Sequence, residues 1–280
     1  MTSAIIKLHN AMRERDSLVC CGLDPDIQKI PTELKGNNEA NSGVIIRFLR
    51  EIIKLAAPHV CAFKIQKAFF DVLPDGHEAL GSVIGYLHRN HPELPVFVDC
   101  KIGDIDNTME AYLANMFKTL NADGVVVNPY MGDDVLAPFS KYPNQAAIVL
   151  VRTSNPGAHV VQDLILASGK PLWEEILAHA VAEWNAAGNV IAVLSSTSKN
   201  DLSQVRSLIP DSMPVLLAGF GAQGGGLQSL KCLLDSRGAG VFINSSRGLL
   251  YPYHVEDPSW RSKVNGAIIS MKTEINKGRR

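Results

Sequence analysis

Between residues 99 and 108 the chain reads Asp-Cys-Lys-Ile-Gly-Asp-Ile-Asp-Asn-Thr, directly after the apolar run Val96-Phe97-Val98. Side chains on a strand alternate faces, so Asp99 and Lys101 point the same way while Cys100 points away. Asp104 follows within the next turn, which gathers two carboxylates and an ammonium into one small volume. Burying that many charges is expensive unless they pair, so such a cluster at a strand end favours a reactive site. The rival reading of the same residues is a solvated, charge-rich loop.

Two later segments have the makings of an anion grip. Gly-Phe-Gly-Ala-Gln-Gly-Gly-Gly spans 219–226, and Asn-Ser-Ser-Arg-Gly spans 244–248. Glycines let backbone N–H groups approach an anion closely, and a helix N-terminus adds a favourable dipole. Arg247 can then donate a bidentate pair. A tight turn explains a lone glycine-rich loop equally well. Its place beside an Arg loop, after the seventh and eighth expected strands, matches a recurrent barrel phosphate site.

The elements that must hold these residues are short and apolar. Strands are expected at 18–23, 60–64, 96–101, 124–128, 147–152, 190–195, 215–219 and 240–244. Each is rich in Val and Ile with few polar residues, the pattern of parallel strands covered on both faces. Helical faces fill the gaps: Leu80, Val83, Ile84 and Leu87; then Met109, Tyr112, Leu113, Met116, Phe117 and Leu120; then Trp173, Ile176, Leu177, Ala180, Val181 and Trp184. Eight strand-then-helix units in about 250 residues have the rhythm of an α/β fold, a (β/α)8 TIM barrel. A doubly wound open sheet is the alternative. No linker-like tract divides the chain, so residues 1–280 are expected to form one domain.

A barrel places its active site at the C-terminal ends of the strands. The polar residues expected there are Asp24, Lys64, Asp99 with Lys101, Asn128, Ser154, Gln223 and Arg247. Together they form a rim suited to a polar, anionic small molecule. Lys64 is preferred to Lys67 because it ends the apolar run, whereas Lys67 belongs to the following turn. The longest connection, 153–170, has few helix signals and reads as a lid.

Bulk properties narrow the classes. Of 280 residues, 46% are hydrophobic and 20% charged, as in ordinary globular proteins. The net charge of −1 offers no electrostatic footprint for nucleic acid or anionic lipid. No stretch approaches the roughly 18 apolar residues that span a bilayer, and residues 1–16 do not read as a signal peptide. Five cysteines, an odd number set mostly in apolar runs, favour a reducing cytoplasm over a disulfide framework. The eight histidines form no metal-ligand pattern of the HExxH kind; His88 and His91 bracket an expected helix end and read as surface residues.

The signature Asp-x-Lys-x-x-Asp-Ile-x-x-Thr, here Asp99, Lys101, Asp104, Ile105 and Thr108, resembles that of the orotidine 5'-monophosphate decarboxylases, in particular their longer bacterial subgroup. The likeness extends over most of the chain. It runs from Gly22-Leu23-Asp24-Pro25 through Arg152-Thr153-Ser154-Asn155-Pro156-Gly157 and Gly221-Ala222-Gln223-Gly224-Gly225 to Asn244-Ser245-Ser246-Arg247-Gly248. Ser195-Ser196-Thr197 stands where Gly-Ala-Thr would be expected, which bears on local packing and on no catalytic group.

The resemblance implies loss of CO2 from orotidine 5'-monophosphate to give UMP in pyrimidine biosynthesis, without metal or organic cofactor. It implies that Asp99 meets the substrate carboxylate, that Lys101 protonates C6, and that Lys64 holds Asp99 and a ribose hydroxyl. Asp24 becomes a further ribose contact and Ser154 a contact to the pyrimidine amide edge. Gln223, Arg247 and Gly248 fall to the phosphate. Asp104 and Thr108 would reach the partner's site in a homodimer with shared active sites. Two rivals stay open: magnesium-dependent sugar-phosphate enzymes that share Asp-x-Lys-x-x-Asp, and a silent nucleotide-binding barrel.

Overall fold

The computed structural model describes residues 2–36, 40–196, 202–220 and 226–279. Eight parallel strands close on themselves in sequence order: β1 (Val19–Leu23), β2 (Ala62–Gln66), β3 (Val96–Ile102), β4 (Gly124–Val127), β5 (Ala146–Leu150), β6 (Val190–Ser195), β7 (Val215–Ala218) and β8 (Val241–Ser245). Each lies within two residues of the stretch its apolar run predicts. Every residue of β1, β4 and β6 is buried, because side chains on one face fill the barrel and those on the other meet helices. Inside, Phe97 of β3 and Phe242 of β8 pack with ring centroids 6.0 Å apart.

Helices separate the strands. They are α1 (Ala4–Glu14), α2 (Asn41–Ala56), α3 (Gly76–Asn90), α4 (Asp106–Ala114), α5 (Asp133–Leu136), α6 (Leu172–His179), α7 (Leu202–Ser207), α8 (Leu227–Leu233) and α9 (Trp260–Arg279). In α2 the spacing of Val44, Ile45, Phe48, Leu49, Ile52 and Ile53 makes one buried stripe. Each such aliphatic or aromatic side chain contributes about 1.5–3 kcal/mol when removed from water. Wider turns at Asn115–Thr119 and Ala180–Trp184 continue α4 and α6.

One expected face needs correction. Tyr112 is 42% exposed rather than packed with Met109, Leu113 and Met116. At 100° per residue it falls at the margin of that stripe, so its neighbours cover the core without it. Ahead of the barrel, α1 lies across the N-terminal ends of the strands. The Ala4 amide donates to the Asn144 carbonyl at 2.8 Å, and Lys7 pairs with Asp123 at 2.8 Å. That closes one mouth and leaves the other for chemistry. Among the described residues no helix is long and apolar enough to cross a membrane.

Candidate active site

The charged motif sits on an irregular stretch of β3. Val98 pairs with Val125 and Ile102 with Val127, so β3 takes four steps where β4 takes two. The surplus forms a bulge, and within it Lys101 has φ +47°, a left-handed conformation that costs a non-glycine residue of order 1 kcal/mol. Gly103 follows because nothing larger fits. A Cβ there would lie 2.4 Å from the Asn128 carbonyl oxygen. Simple alternation predicts the shared direction of Asp99 and Lys101; the bulge is what delivers it.

Asp99 is gripped from both sides. Lys64 Nζ on β2 lies 2.6 Å from Oδ2, and Lys101 Nζ lies 2.6 Å from Oδ1. Burial pushes the Asp99 carboxyl upward more than any other single influence. Lys64 and Lys101 together outweigh it and hold the group below the usual carboxylate range. Desolvation likewise works against the charge on Lys64, but Asp99 and Asp24 keep its pKa above the ordinary lysine value. The Lys64 side chain is 7% exposed and that of Lys101 49%. The first is a fixed internal counter-ion; the second stands where a substrate can reach it. Lys67 begins the turn after β2 and pairs with Asp71 instead.

A cavity of about 840 Å³ opens above these groups at the C-terminal ends of the strands. Asp24, Lys64, Asp99, Lys101, Ser154, Arg247 and Gly248 all line it. Asp24 follows β1, and its Oδ1 is buried without a hydrogen-bond partner. Burial raises its pKa above the ordinary value, with Lys64 and the nearby Ser246 hydroxyl only partly offsetting this. Asn244 Oδ1, also in the cavity lining, is likewise buried and unpartnered. Such atoms at a cavity wall suit a polar ligand, because an unsatisfied buried group costs about 1–3 kcal/mol.

The expected phosphate end is only partly described. Gln223 lies outside the described residues. Arg247 starts a helical turn, Arg247–Leu250, and its guanidinium makes no hydrogen bond or ion pair among the described residues. Its guanidinium is exposed and available for an anion. After β6, the Ser196 amide donates to the Ala218 carbonyl at 2.8 Å, tying that strand end to β7; Thr197 lies outside the described residues.

The expected lid is anchored at its base. Arg152 donates to both carboxylate oxygens of Asp163 at 2.9 Å and to the Thr153 carbonyl at 2.6 Å. The Thr153 amide donates to Gln162 Oε1 at 2.9 Å. These bonds draw residues 153 and 163 together, so the loop is more structured than its sequence suggests. It includes the turns Pro156–Ala158 and His159–Gln162. Thr153, Ser154 and Asn155 face the cavity from it.

Asp104 and Thr108 are not among the residues around the cavity. Asp104 Oδ1 accepts the Ile105 amide at 2.8 Å, and Thr108 is exposed near the start of α4. Asn244 and Ser246 fall in the Asn-Ser-Ser-Arg-Gly segment that the sequence singles out, whereas Gly103 and Tyr251, which also shape this end of the barrel, were overlooked. The glycine inside the charged motif was the one available signal. Among the described residues no group of three or more His, Cys, Asp or Glu side chains is arranged to hold a metal.

Comparison with known proteins agrees with this layout. Residues 17–253 match the orotidine 5'-phosphate decarboxylase / HUMPS family. The orotidine 5'-phosphate decarboxylase of Cupriavidus necator is 39% identical over 274 residues, 98% of this chain and 97% of that protein. The OMP decarboxylase structure of Leishmania donovani is 32% identical with a TM-score of 0.77, covering 97% of this chain and 98% of that one. The UMP synthase of the same organism is also 32% identical, with a TM-score of 0.83; this chain is covered in full and 57% of the synthase chain is matched.

Proposed function

The chain belongs to the orotidine 5'-phosphate decarboxylase / HUMPS family, and we propose that it removes CO2 from orotidine 5'-monophosphate to form UMP through the Lys64–Asp99–Lys101 array. One observation carries this reading. A buried carboxylate is shared by two ammonium groups at 2.6 Å, and the more exposed of them, that of Lys101, opens into the cavity that both line. As the bond from C6 to the carboxylate breaks, its electron pair stays on C6, where no ring carbonyl delocalises it well. The Lys101 ammonium stabilises that charge and transfers a proton to C6, forming the C–H bond of UMP. Neutral Lys101 then regains a proton from solvent. Asp99 keeps Lys101 placed and charged, and Lys64 keeps Asp99 ionised.

The remaining residues bind the ends of the nucleotide. Asp24 and Lys64 take ribose hydroxyls, and Ser154 takes the pyrimidine amide edge. Arg247, Gly248 and Gln223 take the phosphate. Holding the phosphate far from C6 draws the lid over the base and contributes to the chemical step. No metal or organic cofactor enters this scheme. Its five free cysteines fit a reducing cytoplasm, and residues 1–280 work as one domain.

We also propose a homodimer in which Asp104 and Thr108 complete the partner's site, supported by their position outside their own cavity. Mixed dimers of inactive Asp104→Ala and inactive Lys101→Ala subunits then recover activity in one of two sites. No recovery from demonstrated heterodimers refutes shared sites.

The test of the reaction is conversion of orotidine 5'-monophosphate to UMP, followed by absorbance with EDTA present. Conversion supports the metal-free scheme. Turnover only of sugar phosphates, and only after magnesium is added back, would replace it with the enediolate chemistry of the family's other branch. Tight UMP binding without turnover of either substrate would leave a nucleotide-binding barrel.

A further inference from the structure

Tyr251 joins two parts of the binding cavity that lie far apart in sequence. Its amide donates to the Arg247 carbonyl at 3.1 Å, closing the turn that carries that arginine. Its hydroxyl crosses to the loop after β1, donating to the Asp24 carbonyl at 3.0 Å and accepting from the Asp26 amide at 2.7 Å. The ring stacks on Phe48 of α2, with centroids 5.7 Å apart and planes 13° from parallel. Packing fixes the ring, therefore, and the hydroxyl fixes the loop. Burial pushes the phenol pKa up, so it remains a neutral donor and acceptor.

The neighbourhood leaves little slack. A Cβ on Gly22 of β1 would lie 2.0 Å from Ser246 Oγ, so the ends of β1 and β8 meet closely beneath this clamp. What the clamp holds is unfinished on the protein side. Asp24 Oδ1 is buried with no partner, and Arg247 makes no ion pair among the described residues. A Phe ring would fill the same volume, but it would leave the Asp24 carbonyl and the Asp26 amide without their partner. Part-buried backbone groups rarely forgo one.

We propose that Tyr251 is a positioning residue whose hydroxyl holds Asp24 at a fixed distance from Arg247 and so sets the spacing between the ribose and phosphate subsites. This rests on the assignment of Asp24 to a ribose hydroxyl and of Arg247 to the phosphate. The span between those groups is nearly constant in ribonucleoside 5'-monophosphates, so a rigid spacing favours that class over shorter or longer esters. It also places the base over Lys101 without a search, which acts on kcat as well as on KM.

The experiment is a cycle of Tyr251→Phe, Asp24→Asn and the double variant, with kcat and KM for orotidine 5'-monophosphate and Tm measured for each. Tyr251→Phe alone is expected to lower kcat/KM about tenfold, since small misplacements carry penalties of up to 10²-fold. In the Asp24→Asn background the same change is expected to cost less than about twofold, because there is no carboxylate left to place. Equal losses in both backgrounds, or wild-type kcat/KM in Tyr251→Phe, overturn the inference and leave Tyr251 as packing. Asp24→Asn with unchanged kcat/KM is a different result; it overturns the ribose assignment itself and the inference with it. If Tyr251→Phe does not fold, Tyr251→Met, which also lacks the hydroxyl and whose flexible side chain can fill the ring's space, takes its place in the cycle.

Discussion

Asp99 and Asp24 are carboxylates at the same mouth of one barrel, both largely removed from water, and burial pushes both upward. Their pKa values nevertheless lie on opposite sides of the ordinary 3.8. Asp99 at the end of β3 has two lysines at 2.6 Å, so the fold itself supplies its counter-charge. Asp24 after β1 has a buried oxygen with no partner, so the fold supplies only part of what it needs. On the proposed roles, the contrast separates two jobs. A group that must keep its charge through a reaction is paired internally, whereas a group that must recognise a ligand is left for the ligand to complete. The second arrangement costs stability in the empty protein, a common trade at functional sites.

The sharpest way to break the comparison is to take away the exposed partner of Asp99. Lys101→Ala is expected to lower kcat by at least the roughly 10²–10⁴-fold that a general acid supplies, with UMP affinity by calorimetry little changed. Turnover near the wild-type rate would remove Lys101 from its role. Removing the carboxylate instead attacks the fold. Asp99→Ala strands Lys64 in a buried site, and the loss on breaking such a pair is on the order of 3–5 kcal/mol, read from urea denaturation. A stability loss below about 1 kcal/mol would mean that Lys64 finds its counter-charge elsewhere.

Arg247→Ala tests the side of the site that waits for its ligand. A charge-assisted hydrogen bond is worth about 1.5–3 kcal/mol, so kcat/KM is expected to fall roughly 10–100-fold without loss of Tm. A fall in kcat beside the rise in KM would show that phosphate binding feeds the chemical step. A change confined to KM would refute that coupling.

The smallest effect has the opposite sign for stability. The folded pKa of Asp24 is raised, so its ionised form costs stability above that pKa, and the cost disappears as pH falls below the unfolded value of 3.8. Asp24→Asn is therefore expected to raise Tm at pH 7, by about 2–4 °C for each kcal/mol relieved, while lowering kcat/KM. The gain should shrink as the pH approaches 4. Asp99 behaves in reverse: with its folded pKa depressed, its stabilisation is complete above 3.8 and is lost as pH falls through the folded value. A Tm for Asp24→Asn below that of the wild type at pH 7 would contradict the contrast drawn between the two carboxylates.

Much of this is legible in the sequence. The Val- and Ile-rich runs located eight strands because a strand covered on both faces has no use for polar residues. Their alternation with helical stripes fixed the barrel, and the positions of Asp24, Lys64, Asp99, Lys101 and Arg247 just past those runs placed them at one mouth. The 153–170 connection was harder to read, since its order comes from Arg152 closing on Asp163 and Gln162 rather than from helix signals. The bulge in β3 was hidden for a related reason. Alternation along one strand cannot show that its neighbour advances two residues while it advances four.

Residue type and order alone determined the barrel class, the end at which chemistry occurs and the charges gathered there, because these follow from local periodicity and from the chain direction of parallel strands. Which carboxylate has a partner was decided only by tertiary structure. Lys64 and Asp99 are 35 residues apart, and Asp24 and Tyr251 are 227 apart. Sequence spacing says which way a side chain faces, but the distance between two strand ends depends on barrel closure and register. At hydrogen-bond range, differences of about an ångström separate a paired charge from an orphan.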